Sequence, residues 1–121
     1  MSRSDFVDYV VHDLLSGFSN VRSRAMFGGH GLYKDGVIFA ILVKDQLYFK
    51  VDETNKKDYV KKGSRPFTYL ASGKKRVSMS YWEVPSEILE EREEMSRWAQ
   101  KSYRINLKRD KMKASNGTRS I

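Results

Sequence analysis

The stretch Arg24-Ala-Met-Phe-Gly-Gly-His-Gly-Leu-Tyr33, with the two runs after it, decides the fold of this 121-residue chain. A Lys34-Asp-Gly36 turn leads into Val37-Ile-Phe-Ala-Ile-Leu-Val43. A second short turn leads into Leu47-Tyr-Phe-Lys-Val-Asp52. Asp35-Gly36 signals a hairpin, because both residue types tolerate the positive φ that such turns require. The unbroken apolar run from Val37 to Val43 reads as an interior strand. Leu47, Phe49 and Val51 alternate with Tyr48 and Lys50, as in a strand with one buried face. Three antiparallel strands joined by two tight turns are expected.

On the amino-terminal side, Phe6, Val10 and Leu14 stand four apart and predict a helix over 5–15, with Ser4 to cap it and Gly17 to end it. Residues 18–24 read as a connector. Beyond the third strand, 52–62 reads as a short surface helix stopped by Gly63. Residues 66–71 and 76–82 form a second hairpin around Ser72-Gly73-Lys74. Pro85-Ser86 opens a long helix over about 86–108, with Ile88, Met95, Trp98, Ala99, Ser102 and Ile105 as its apolar stripe. Acids at its start and bases at its end complement the helix dipole. The order α-β-β-β-α-β-β-α predicts an α+β fold built on a single five-stranded antiparallel sheet with packed helices. One domain is expected over 1–109, followed by a basic flexible tail, 110–121.

A hydrophobic fraction of 40%, with six Phe, seven Tyr and two Trp, is that of a folded chain. The absence of cysteine excludes disulfides and thiolate metal sites. The first residues are polar, and the longest apolar run, Val37 to Val43, is too short to span a bilayer, so a cytoplasmic protein without membrane contact is expected. The net charge of +8 is uneven: residues 1–100 hold 16 basic and 14 acidic side chains, whereas 101–121 hold seven basic and one acidic. The body therefore exerts little long-range pull on polyanions, and the carboxyl-terminal end supplies most of it.

The glycine cluster Gly28-Gly-His-Gly31 fails as a phosphate loop. Lys34 stands where a dinucleotide fingerprint needs its last Gly, and Val37 where a Walker motif needs Lys. Its plain reading is a bulge or a close backbone approach. His12 and His30 are the only histidines, too few for a zinc site without cysteine. No acid stands beside Ser, Lys or His in a catalytic pattern, so the expectation is a non-enzyme with no cofactor and no metal. Trp82 alternates away from Val77, Met79 and Tyr81. It is the candidate anchor for a protein partner, together with Phe27, Gly28, Gly29 and His30; burial of Trp82 under the long helix is the competing reading. Lys56, Lys57, Lys61, Lys62 and Arg65, the turn cations Lys74, Lys75 and Arg76, and Lys108, Arg109, Lys111 and Lys113 are candidates for phosphate contact, with solvated helix and turn charges as the alternative.

Four blocks in order, Met26-Phe-Gly-Gly-His-Gly-Leu-Tyr33, Leu47-Tyr-Phe-Lys-Val51, Pro66-Phe-Thr-Tyr69 and Met79-Ser-Tyr-Trp-Glu-Val-Pro85, resemble the amino-terminal domain of the TfoX/Sxy proteins. These are bacterial regulators of natural transformation, and the likeness covers roughly residues 5–103. It implies a five-stranded antiparallel sheet, resembling the secretion-chaperone fold. It also implies a non-enzymatic coactivator that works with the cyclic-AMP receptor protein at competence promoters. Full-length members carry a second, carboxyl-terminal domain. The alternative function is direct, weakly sequence-specific nucleic-acid binding through the basic tail and the 56–65 cluster; a homodimer through an exposed sheet edge is a further expectation.

Overall fold

A computed structural model describes residues 3–26, 28–70 and 76–119. The chain runs through helix α1 (Arg3–Tyr9), a π-helical turn (Val10–Leu14), strands β1 (Val21–Met26), β2 (Gly29–Lys34), β3 (Val37–Val43) and β4 (Gln46–Lys50), helix α2 (Lys56–Lys61), strands β5 (Pro66–Leu70) and β6 (Arg76–Glu83), and helices α3 (Ser86–Leu89) and α4 (Arg92–Arg119). The strands form one open antiparallel sheet in the order β1-β2-β3-β4-β6-β5. The fold is α+β, with helices packed on an antiparallel sheet.

The sheet has one strand more than the five expected. The chain reverses between Met26 and Gly29, which pair with each other, and Gly28 has φ +75°. The decisive stretch therefore makes two strands, and the segment read as a connector belongs to the first. Strand β1 escapes a hydrophobicity reading because it is an edge strand whose Arg22, Ser23, Arg24 and Ala25 are all exposed. The next two turns follow the sequence. Asp35 and Gly36 (φ +49° and +83°), and Lys44 and Asp45 (φ +51° and +61°), are the two-residue loops between Lys34 and Val37 and between Val43 and Gln46. Positive φ at both central residues is the geometry whose twist matches the strands.

The helices pack on one face. Val7, Val10, Leu15 and Phe18, Tyr59 of α2, Ile88 of α3, and Met95, Trp98 and Ala99 of α4 join Leu32, Phe39, Ala40, Leu42, Leu47 and Phe49 in a single core. Phe18 meets Phe39 edge-on at 5.2 Å, and Tyr59 meets Trp98 at 4.6 Å, the arrangement aromatic quadrupoles favour. The stripe expected on the last helix is buried: Met95, Trp98, Ala99, Ser102 and Ile105, with Ile88 carried by the separate α3. The break at Glu90-Glu91 has no local breaker to explain it. Helix α4 runs on to Arg119, mostly through good helix formers as far as Ala114 and then through Ser115-Asn-Gly-Thr118. From Lys108 to Met112 every side chain is exposed, so this part of the helix extends past the core.

Candidate functional site

Where β3 and β4 part, α4 fills the gap. Their ladder ends at Ala40 and Phe49, leaving backbone carbonyls without strand partners. Asn106 Nδ2 donates to the Ile38 carbonyl at 2.9 Å and lies 3.4 Å from the Tyr81 hydroxyl. Ser102 Oγ donates to the Lys50 carbonyl at 2.7 Å. That carbonyl also receives Asn55 Nδ2 at 3.1 Å, while Asn55 Oδ1 accepts the Asp52 N–H at 2.9 Å. Asn55, Ser102 and Asn106 are all buried, as expected of polar groups that replace missing ladder bonds. Asn55 and Ser102 fix the last residue of β4, and Asn106 fixes Ile38 of β3.

The Lys50 side chain is only 6% exposed. Its ammonium bonds Ser80 Oγ at 2.5 Å and sits 5.3 Å from the centre of the Tyr81 ring. Burial, and then the charge of Arg109, lower its pKa, which Asp52 partly restores. Lys50 lines a groove of about 760 Å³ with Asp52, Glu53, Ser80, Lys101, Arg104, Lys108 and Arg109. Along α4, Lys101, Arg104, Lys108 and Lys111 follow 3-4-3 spacing and so share a helix face. Lys101 is paired with Asp58 of α2 at 2.9 Å.

Of the cations singled out in the sequence, Lys108 and Arg109 come to this groove, and Lys111 lies beside it with Arg104, Leu107, Lys108 and Met112. Lys56, Lys57, Lys61 and Lys62 are exposed on and just after α2, where Lys62 pairs with Glu87 at 3.1 Å. Arg65 borders a different groove, with Tyr48, Phe67 and Glu83. Lys74 and Lys75 lie outside the described residues; Arg76 opens β6 and Lys113 continues α4. Sequence reasoning passed over Lys50, because a lysine in an alternating strand reads as a solvent-facing residue. It also passed over Arg104, although the helical spacing of Arg104 with Lys108 and Lys111 was there to be read.

Trp82 sits on β6, between β4 and β5, opposite Phe49 and Pro66. Its ring lies 6.4 Å from that of Tyr59 and packs against the core. The residue is half-buried and away from either sheet edge. The glycine cluster has steric causes. A Cβ on Gly29 would stand 2.3 Å from the Leu42 carbonyl, and one on Gly31 would stand 2.7 Å from Met26 Sδ. His30 is half-buried between Ala25 and Leu42, and Phe27 lies outside the described residues. On the sheet face opposite the helices, the register brings together Tyr33, Ile38, Ile41 and Tyr48, all half-buried and outside the core. Phe67 meets Tyr48 edge-on at 5.0 Å.

The family model described as the TfoX N-terminal domain matches residues 13–105. The chain belongs to that family. The match runs from the π-helical turn through all six strands to Ile105 of α4, so it takes in the whole sheet and Ser102, and it ends one residue before Asn106. The TfoX N-terminal family is one of competence-related regulatory and adaptor domains. A comparison with curated proteins gives no match. Among the described residues, no helix is long and apolar enough to cross a membrane.

Proposed function

We propose that this TfoX-type domain is a non-enzymatic adaptor that helps to activate competence genes by contacting a transcription regulator of the cyclic-AMP receptor type, in the cytoplasm. Membership of the family over residues 13–105 carries the reading. The face of Tyr33, Ile38, Ile41 and Tyr48 supports it, since half-exposed aliphatic and aromatic side chains on a rigid sheet are the kind of surface that protein partners cover. The test is fluorescence anisotropy of a competence-promoter duplex. Adding the chain should raise the signal of the regulator–DNA complex, and Ile41→Asp should abolish that rise while the fold is kept. A signal that ignores the chain would refute the adaptor role.

A second reading, direct and weakly sequence-specific nucleic-acid contact, is favoured by the cation row Lys101, Arg104, Lys108 and Lys111 on α4. Such contact weakens steeply with salt, and binding to a random duplex that survives physiological salt would promote it over the first.

A further inference from the structure

We propose that the groove between the end of β4 and helix α4 binds a phosphate group, with Lys50 at its floor and Arg104, Lys108 and Arg109 along its wall.

Lys50 carries a buried charge that no carboxylate pairs directly among the described residues and that Asp52 offsets only in part. Taking an ammonium out of water is costly unless a carboxylate or several hydrogen bonds replace the solvent. Lys50 is 6% exposed, yet its ammonium meets only one hydroxyl, Ser80 Oγ, and the Tyr81 ring among the described residues. An ammonium has three donors, and none of the ion pairs among the described residues involves it. The acid nearest in sequence, Asp52, is engaged elsewhere: its Oδ1 accepts the Thr54 N–H at 2.8 Å and the Thr54 hydroxyl at 2.5 Å. Glu53 is the other acid on the lining.

The surroundings make the imbalance greater. Arg104, Lys108 and Arg109 line the same groove, and none of them takes part in an ion pair among the described residues. Arg109 stands close enough to push the Lys50 pKa down, adding to the effect of burial. Cations that disfavour one another's charge are relieved by an anion placed among them. The hydrogen bonds from Asn55 and Ser102 to the Lys50 carbonyl hold the floor of the groove in place before any ligand arrives. Two arginines and two lysines on a pre-set cleft match the multiple acceptor oxygens of a phosphate better than the two of a carboxylate. The phosphate could belong to a small phosphorylated metabolite or to a nucleic-acid strand. The site does not depend on the adaptor role, and it names a pocket where the second reading names only a charged helix face.

The experiment is amide-resolved NMR titration of the full chain with three probes: inorganic pyrophosphate, a 5′-mononucleotide, and a short single-stranded oligonucleotide without terminal phosphate. Shifts confined to Lys50, Ser80, Arg104 and Arg109 are expected. Response to the two small probes assigns the site to metabolites; response to the oligonucleotide alone assigns it to a strand. Lys50→Met should weaken binding about tenfold or more, the loss of one charge-assisted contact set, and Arg109→Ala, at an exposed position, should do so without touching the core. Arg22→Ala, on the exposed edge strand β1 and off the groove, should leave binding unchanged. Failure of all three probes to shift these amides, or equal affinity in the Lys50→Met and Arg109→Ala variants, overturns the site, whatever the promoter assay shows.

Discussion

Two residues show how backbone geometry, rather than chemistry, dictates the motif at the heart of the sequence. Gly29 is required because β2 approaches β3 so closely that a Cβ would meet the Leu42 carbonyl, a backbone atom that cannot swing aside. Gly29→Ala should therefore cost on the order of 2 kcal/mol, the usual scale for overpacking, read as a lowered urea midpoint. Asp45 offers the opposite case. It holds φ +61° in a two-residue loop, a conformation that aspartate tolerates better than most residues but that glycine adopts without steric cost. Asp45→Gly should raise stability by about 0.5–1 kcal/mol in the same assay. The conformational demand at Asp35-Gly36 was legible from residue type. At Lys44-Asp45 it was not, because lysine does not announce positive φ and the aspartate has no glycine beside it to complete the signal.

At the scale of elements, α4 acts as both a lid on the core and a stitch in the sheet. Its apolar spacing was plain in the sequence, since Met95, Trp98, Ala99, Ser102 and Ile105 recur at helical intervals. Its polar duties were not, because a serine and an asparagine within a helix give no hint that their partners are strand carbonyls. Asn106→Ala would strip the Ile38 carbonyl and the Tyr81 hydroxyl of a donor. Leaving buried polar groups unpaired costs roughly 1–3 kcal/mol each. We expect a loss in that range by chemical denaturation, with hydrogen exchange accelerated first at the start of β3. Edge strand β1 went unread for the reverse reason: four exposed residues in a row leave no alternation to detect. The groove at Lys50 was equally hidden. It forms only when the end of β4 and the last buried turn of α4 meet, and these lie more than fifty residues apart in sequence.

At the scale of the molecule, burial couples the whole fold to pH. The Tyr59 hydroxyl is buried and finds no hydrogen-bond partner among the described residues. Burial raises its pKa far above the ordinary 10.0, an effect that neighbouring Ser102 only partly offsets. Burial also raises Tyr48 and Tyr81. A raised pKa means that the folded state keeps a proton the unfolded chain gives up. The corresponding stability is fully present below about pH 10 and is lost as pH climbs beyond it. Lys50, with its lowered pKa, works in the opposite sense, but its contribution is complete by about pH 10.5, the value for the unfolded side chain. Above that point the urea midpoint should fall steadily, and Tyr59→Phe should make the fall visibly shallower while leaving stability at pH 7 unchanged or higher. An identical slope in the variant would mean that Tyr59 does not hold its proton as the structure implies.

The order of elements along the chain also matters while the protein is being made. Every strand precedes the helix that covers the sheet. Until the codons for Met95, Trp98 and Ile105 have been read and those residues have left the ribosome, Leu32, Phe39, Leu42, Leu47 and Phe49 line a sheet with most of its cover missing. The growing polypeptide is thus a sticky half-product until α4 emerges. Its solubility in the cell should depend on how quickly translation proceeds through the codons of α4, and on holding chaperones that can occupy the place of α4 until the helix arrives.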